Sequence, residues 1–311
     1  MSEPLAYLNG TLVPASQAAI SVTDAGFMQG VTVAEQLRTF GGKLFELPRH
    51  LARLQRSLSI VGVELPISID ELAARAQELA THNHNLLQPG DDLGLSMFVT
   101  PGTYPTFAAA APGSHPAAPV PFFCLHTYPL QFATWVQKYE QGETLVATDV
   151  RQVPSDCWPV ELKCRSRMHY FLADRAARLK QPGARAIMQD QRGFVTEAST
   201  ANLLIYRAAE GIVSPPRASI LPGVSVAVLG ELAAELKIPW SERDLTLADC
   251  EAADEILLCS TSPCVWPVTH FNGQTISQGT AGPIARQLLA AFSRRTGIDI
   301  ERQAKQFSQR A

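Results

Sequence analysis

The chain has 311 residues, 46% hydrophobic and 18% charged, and its 26 basic against 29 acidic residues leave a formal net charge of −3. That balance lacks the basic excess on which nucleic-acid and anionic-membrane surfaces depend, and no apolar run approaches the ~20 residues of a membrane helix. The length suits two domains of ~150 residues each. The opening MSEPLAYLNG lacks the basic-then-apolar order of a secretory signal. Six cysteines, at 124, 157, 164, 250, 259 and 264, make no CxxC pair, so reduced thiols in a cytoplasmic protein are expected. His82 and His84 read as a polar turn after a helix, and no metal site is expected.

In chain order, residues 6–14 (AYLNGTLVP) predict a hairpin turning at Asn9-Gly10. Residues 30–40 alternate as a strand, and Gly41-Gly42 separates it from a further β-like run. From Pro48 the pattern changes. Leu51, Leu54, Leu58 and Val61 recur three or four apart, as on one face of an amphipathic helix. IDELAARAQELATH predicts a second helix opened near Asp70. Residues 101–121 carry six prolines and no charge, which predicts a loop or flap. The strand-like PFFCLHTYPL follows. A domain boundary is expected over 127–137, leaving residues 1–126 and 138–311 as the two domains. Strands are predicted near 144–150, 184–189, 194–206 and 255–259, and helices over 166–180, 225–236 and 282–295. Without strict βαβ alternation, the fold class is α+β.

Four stretches carry chemistry. VELKCRSRMHY places Lys163 where a strand-like run gives way to a helix. GFVTEASTANLLIY holds a half-buried acid, Glu197, among β-forming residues. A carboxylate there can keep a pyridine nitrogen protonated. SILPGVSVAVLGELAAEL enters a helix at about Ser225, where Val224 and Ser225 could offer backbone N–H groups to a phosphate. LCSTSPCVWPV ends a strand in Ser260, Thr261 and Ser262, hydroxyl residues able to cradle an anion. Each alone also reads as ordinary surface, turn or helix entry.

In this order and spacing the four stretches resemble the fold-type IV pyridoxal-phosphate enzymes, the family of branched-chain and D-amino-acid aminotransferases and aminodeoxychorismate lyase. The likeness runs from YLNGTLVP through SVTDAGFMQGVTVAEQLRTFGGKLFELPRHLARL to ADEILLCSTSPCVWPV, with Lys163 and Glu197 34 positions apart. It implies a two-domain homodimer with pyridoxal 5′-phosphate in the interdomain cleft. Amino groups would pass from an amino acid or amine to a 2-oxo acid. It implies Lys163 as the Schiff-base lysine and proton carrier, Glu197 on the ring nitrogen, and Leu221 against the ring. Arg53, Val224, Ser225 and Thr261 would hold the phosphate. Arg151 resembles an arginine upstream of the lysine in several members, offset by about one residue.

Glu35 stands where the resembling aminotransferases carry Glu and the lyases Thr, which favours transamination. Arg167 is more reminiscent of the lyases. Pro101 and Ser96 replace the arginines that bind substrate carboxylate in the D-amino-acid and branched-chain enzymes. Gln29 and Ala34 replace aromatic pocket residues. Gln29, Arg38 and Ser262 are the candidates left for substrate contact. A lyase and a cofactor-binding protein without catalysis are the alternative readings.

Overall fold

In the computed structural model, which describes residues 3–107 and 120–309, the chain first reverses at Asn9-Gly10. Their φ angles of 46° and 90° are the left-handed pair of a tight hairpin turn. The turn joins β1 (Leu5–Leu8) to β2 (Thr11–Pro14), with Leu5 opposite Pro14. Then come α1 (Ala25–Met28), β3 (Val33–Phe40), β4 (Lys43–Leu44), α2 (Leu47–Val61), α3 (Ile69–His84), β5 (Leu93–Thr100) and β6 (Phe122–Pro129). These six strands make one antiparallel sheet in the order β2-β1-β6-β5-β3-β4.

Helix α2 has Pro48 in its first turn, where a missing N–H costs nothing, and ends at Gly62 with φ 67°. Its Leu51, Leu54 and Leu58 join Leu72, Ala76 and Leu79 of α3 against Leu37, Leu95, Met97 and Leu125 of the sheet. Each fully buried leucine contributes about 2 kcal/mol. Ser68, rather than Asp70, caps α3 by accepting from the Glu71 N–H. His82 and His84 lie in the last turn of α3, not after it, and the His84 ring sits 3.0 Å from the Asp91 carbonyl oxygen. Of the predicted 101–121 loop, Pro105–Phe107 is a single 3₁₀ turn, and 108–119 fall outside the described residues.

The rest of the chain forms α4 (Phe132–Gln141), β7 (Glu143–Ala147), α5 (Met168–Lys180), β8 (Arg185–Gln189), β9 (Val195–Ala198), β10 (Ala201–Arg207), β11 (Gly211–Ser214), α6 (Val224–Glu235), β12 (Trp240–Glu242), α7 (Leu247–Glu251), β13 (Glu255–Ser260), β14 (Cys264–Phe271), β15 (Gln274–Thr275), α8 (Pro283–Thr296) and α9 (Ile300–Gln306). Its sheet runs β12-β11-β10-β13-β14-β7-β8-β9, with β15 on β14. Strand β9 also pairs with β10, so six of the strands close into a ring. Pairs β7–β8, β7–β14 and β11–β12 are parallel and the others antiparallel. The predicted strand over 194–206 is two strands, because the chain turns at Ser199-Thr200 with Thr200 at φ 63°.

Two mixed units of this kind are the α+β architecture expected. The chain divides into two compact units, Met1–Leu130 with Leu162–Ser166, and Gln131–Glu161 with Arg167–Ala311. The 127–137 stretch is not a linker in form: residues up to Pro129 pair with β5 in β6, and α4 begins at Phe132. The five residues carrying Lys163 belong with the first unit, although sequence alone assigns them to the second domain. Their backbone bonds run to β3 and α2. No helix among the described residues is long and apolar enough to cross a membrane.

Candidate active site

In the first unit, Lys163 is 8% exposed, and the chain around it is held by its backbone. Its N–H donates to Ser57 Oγ at 3.1 Å, and its carbonyl accepts from Ala34 N–H at 3.0 Å. The Arg165 N–H donates to the Thr32 carbonyl at 2.8 Å. Ser57 lies on α2, one helical stripe with His50 and Arg53 at spacings of three and four. That polar stripe meets Glu35, which β3 buries completely. Arg53 grips Glu35 with Nε on Oε1 at 2.7 Å and Nη2 on Oε2 at 2.8 Å, a two-pronged charge-assisted pair. His50 Nδ1 lies 2.7 Å from Glu35 Oε2.

Burial by itself would raise the Glu35 carboxyl, but Arg53 and then His50 override it and hold it at about 2. Burial pushes the His50 imidazole down from 6.5, against the pull of Glu35. His50 is therefore a neutral ring donating its Nδ1 proton to Glu35, and its buried Nε2 has no hydrogen-bond partner. This network predicts an acid response in two steps. The unfolded chain protonates His50 near 6.5 while the folded one does not, so stability falls as pH drops below 6.5. The slope is up to ~1.4 kcal/mol per pH unit for one proton. The Glu35 contribution is present above 4.5 and is lost between 4.5 and about 2. Denaturant midpoints from pH 8 to 5 check the first step: the decline should be shallower in His50→Asn than in the parent. Equal slopes would mean that His50 is not the titrating group.

In the second unit, Glu197 sits on β9 in a row across the ring, opposite Asn202 of β10, which in turn is opposite Cys259 of β13. It is 4% exposed, so buried rather than half-buried. Four donors reach its two oxygens. Tyr170 Oη at 2.6 Å and Gln152 Nε2 at 2.8 Å donate to Oε1; Asn202 Nδ2 and the Leu221 N–H, both at 3.3 Å, donate to Oε2. Burial, and then the adjacent Glu197 charge, raise the Tyr170 phenol well above its ordinary range, so its hydroxyl stays a donor. These bonds fix the position of the carboxylate.

Asn202 also donates to the Leu221 carbonyl at 3.0 Å, which ties the turn before α6 to the acid. Gly223 follows, and a Cβ there would lie 2.1 Å from Asn202 Oδ1. Only glycine lets the helix start approach so closely. No side chain caps α6, whose first residues Val224 and Ser225 are both buried, so its leading N–H groups are suited to an anion. Thr261 and Ser262 follow directly on β13, two and three residues past the partner of Asn202.

The remaining candidates scatter. Gln29 is exposed just after α1. Arg38 is fully buried, with Nε on the Thr39 carbonyl and its guanidinium 4.1 Å from the Phe40 ring centroid. Arg151 Nη1 donates to Gln189 Oε1 at 2.6 Å. His50, Ser57, Gln152, Tyr170 and Asn202 escape sequence reasoning. For His50 and Ser57 a signal exists, since they share helical spacing with Arg53. For the other three there is none, because the fold alone brings a loop, helix α5 and strand β10 together at Glu197.

This fold and these residues place the chain in a known class. Residues 32–271 match the amino-transferase class IV family, and the chain belongs to it. Among its relatives are the D-alanine aminotransferases of Staphylococcus epidermidis, 29% identical over 296 residues (93% of this chain and 96% of the relative), and of Bacillus licheniformis, 28% identical over 288 residues (91% and 94%). The fold is similar to that of Escherichia coli branched-chain amino acid aminotransferase, with TM-score 0.83, 22% identity and 94% of each chain covered. It is also similar to that of a T.th branched-chain amino acid aminotransferase complexed with N-(5′-phosphopyridoxyl)-L-glutamate, with TM-score 0.81, 22% identity, and 96% of this chain and 95% of that one covered.

Proposed function

We propose that this class IV aminotransferase works with pyridoxal 5′-phosphate, as a homodimer, on an amino acid donor and a 2-oxo acid acceptor. The observation that carries the reading is the buried Glu197 carboxyl group, held in place by Tyr170, Gln152, Asn202 and the Leu221 N–H. When bound, the cofactor supplies a carbonyl carbon for the amine and a protonated ring that withdraws electrons from the substrate α-carbon.

The chain's own residues divide the remaining work. Glu197 keeps the ring nitrogen protonated, because paired opposite charges favour each other where water is excluded. Leu221 packs on the ring. Val224 and Ser225 at the uncapped start of α6 receive the phosphate, with Thr261 and Arg53 as further donors. Glu35 and His50 set the plane of the Arg53 guanidinium. Lys163 would hold the cofactor through its amine and would take and return the proton at the substrate α-carbon, a base role that burial of an amine favours. The close Gly223 approach to Asn202 and the bare helix start fit a phosphate-bearing aromatic ring.

The test is a donor screen on purified protein. The visible absorption of the cofactor-loaded enzyme should bleach with amino acid donors and return on adding a 2-oxo acid. Absence of bleaching by every L-amino acid, D-amino acid and simple amine tried would sink the aminotransferase reading. Release of pyruvate from aminodeoxychorismate would replace it with the lyase.

A further inference from the structure

The sheet of the first unit has two unlike faces. Val33, Leu37, Leu95, Met97, Val99, Phe123 and Leu125 point under α2 and α3 and are buried. On the other face Gln36, Ser96 and His126 stand in one row across β3, β5 and β6. Gln36 and His126 are only half-buried there. Beside that row runs a strip of rings. Phe98 and Phe122 have centroids 5.9 Å apart, and the Phe98 and His126 rings are 6.3 Å apart.

Onto this row comes Arg165, two residues after Lys163. Its Nη2 donates to Ser96 Oγ at 2.9 Å, while the residue as a whole remains exposed. The segment that carries it is firmly set. Cys164 bridges Val33 in antiparallel fashion, and Ser166 Oγ donates to the Gly30 carbonyl at 2.6 Å. Two residues of chain span at most about 7 Å, so an amine and a guanidinium leave one short stretch. Arg38 on the same face is stacked and fully buried. Burial, and then the charge of Arg165, push the His126 imidazole down, which leaves it uncharged at neutral pH. The exposed charge on this row therefore belongs to Arg165.

Resting on the aminotransferase reading above, we propose that Arg165 determines donor specificity: its guanidinium binds the carboxylate of an α-amino acid, and the Phe98–Phe122 strip receives an apolar side chain. A planar fork suits a carboxylate, and the bond from Nη2 to Ser96 Oγ restrains its position. Amines lacking a carboxylate lose that anchor.

The experiment compares holoenzymes of the parent, Arg165→Ala and Arg165→Lys. Donors are both isomers of leucine and phenylalanine, set against 3-methylbutylamine and 2-phenylethylamine. Arg165→Ala should raise KM for the amino acids about 10- to 100-fold, the loss of one charged hydrogen-bonded contact, and leave KM for the amines unchanged. Arg165→Lys should recover part of the loss. Independently of turnover, calorimetry with 3-phenylpropanoate should show a comparable weakening of binding in Arg165→Ala. Equal effects on amino acids and amines, or 3-phenylpropanoate binding equally to parent and Arg165→Ala, would overturn the proposal. A parent protein that carries no cofactor on Lys163 would overturn the aminotransferase reading instead, and the specificity claim with it.

Discussion

Lys163→Ala is expected to lower transamination at least ~10³-fold, about 4 kcal/mol of barrier, without disturbing the fold. The side chain is the amine that fixes the cofactor and the base that moves the proton, and base catalysis alone contributes about 10²–10⁴-fold. Two backbone bonds anchor this position, the N–H to Ser57 and the carbonyl from Ala34, and alanine keeps both. Borohydride reduction followed by mass spectrometry of the intact chain checks the covalent part. The parent should gain the mass of one phosphopyridoxyl group, and Lys163→Ala should gain none. A variant that turned over at the parental rate, or that was still labelled, would move the attachment to another residue.

The second large effect is expected at Glu197. Glu197→Gln should cost about 10²–10³-fold in turnover, roughly 3–4 kcal/mol, because the ring nitrogen loses the charge that keeps its proton. The substitution also sets an amide N–H₂ against donors. With Oε1 still accepting from Tyr170 and Gln152, the new nitrogen faces Asn202 Nδ2 and the Leu221 N–H. Part of the loss is then structural, at about 1–3 kcal/mol for unmet buried donors. Two measurements separate the effects. Thermal melting reports the structural share, and Glu197→Asp, which keeps the charge, should turn over faster than Glu197→Gln. If Gln and Asp were equally impaired, position rather than charge would be the requirement.

These expectations rest on residues of two kinds. Lys163, Glu197 and Arg53 are proposed from the family resemblance, and most of the elements that carry them are legible in the sequence. The Asn-Gly hairpin, the apolar stripe of α2 and the helix after Pro222-Gly223 follow from rules acting over fewer than ten residues. Where the reading went astray, the missing information was long-range. A run that reads as one strand over 194–206 breaks at Thr200, since β9 must turn to pair with β10 and close the ring. The chain does pass from the first unit to the second within 127–137, between Leu130 and Gln131, but the return of residues 162–166 to the first unit has no local signal.

By itself, then, the sequence determines the local elements and the fold class, because short-range periodicity encodes them, and its resemblance to a known family proposes the lysine and the acid. The tertiary structure decides the company those residues keep. Glu35 and Arg53 are 18 positions apart, Gln152 and Glu197 are 45 apart, and Ser96 and Arg165 are 69 apart. No local pattern specifies such pairs. They exist because the packing of α2 and of the loops at 152 and 165 against the sheets brings distant stretches within hydrogen-bond distance, where burial makes every unmatched polar group costly.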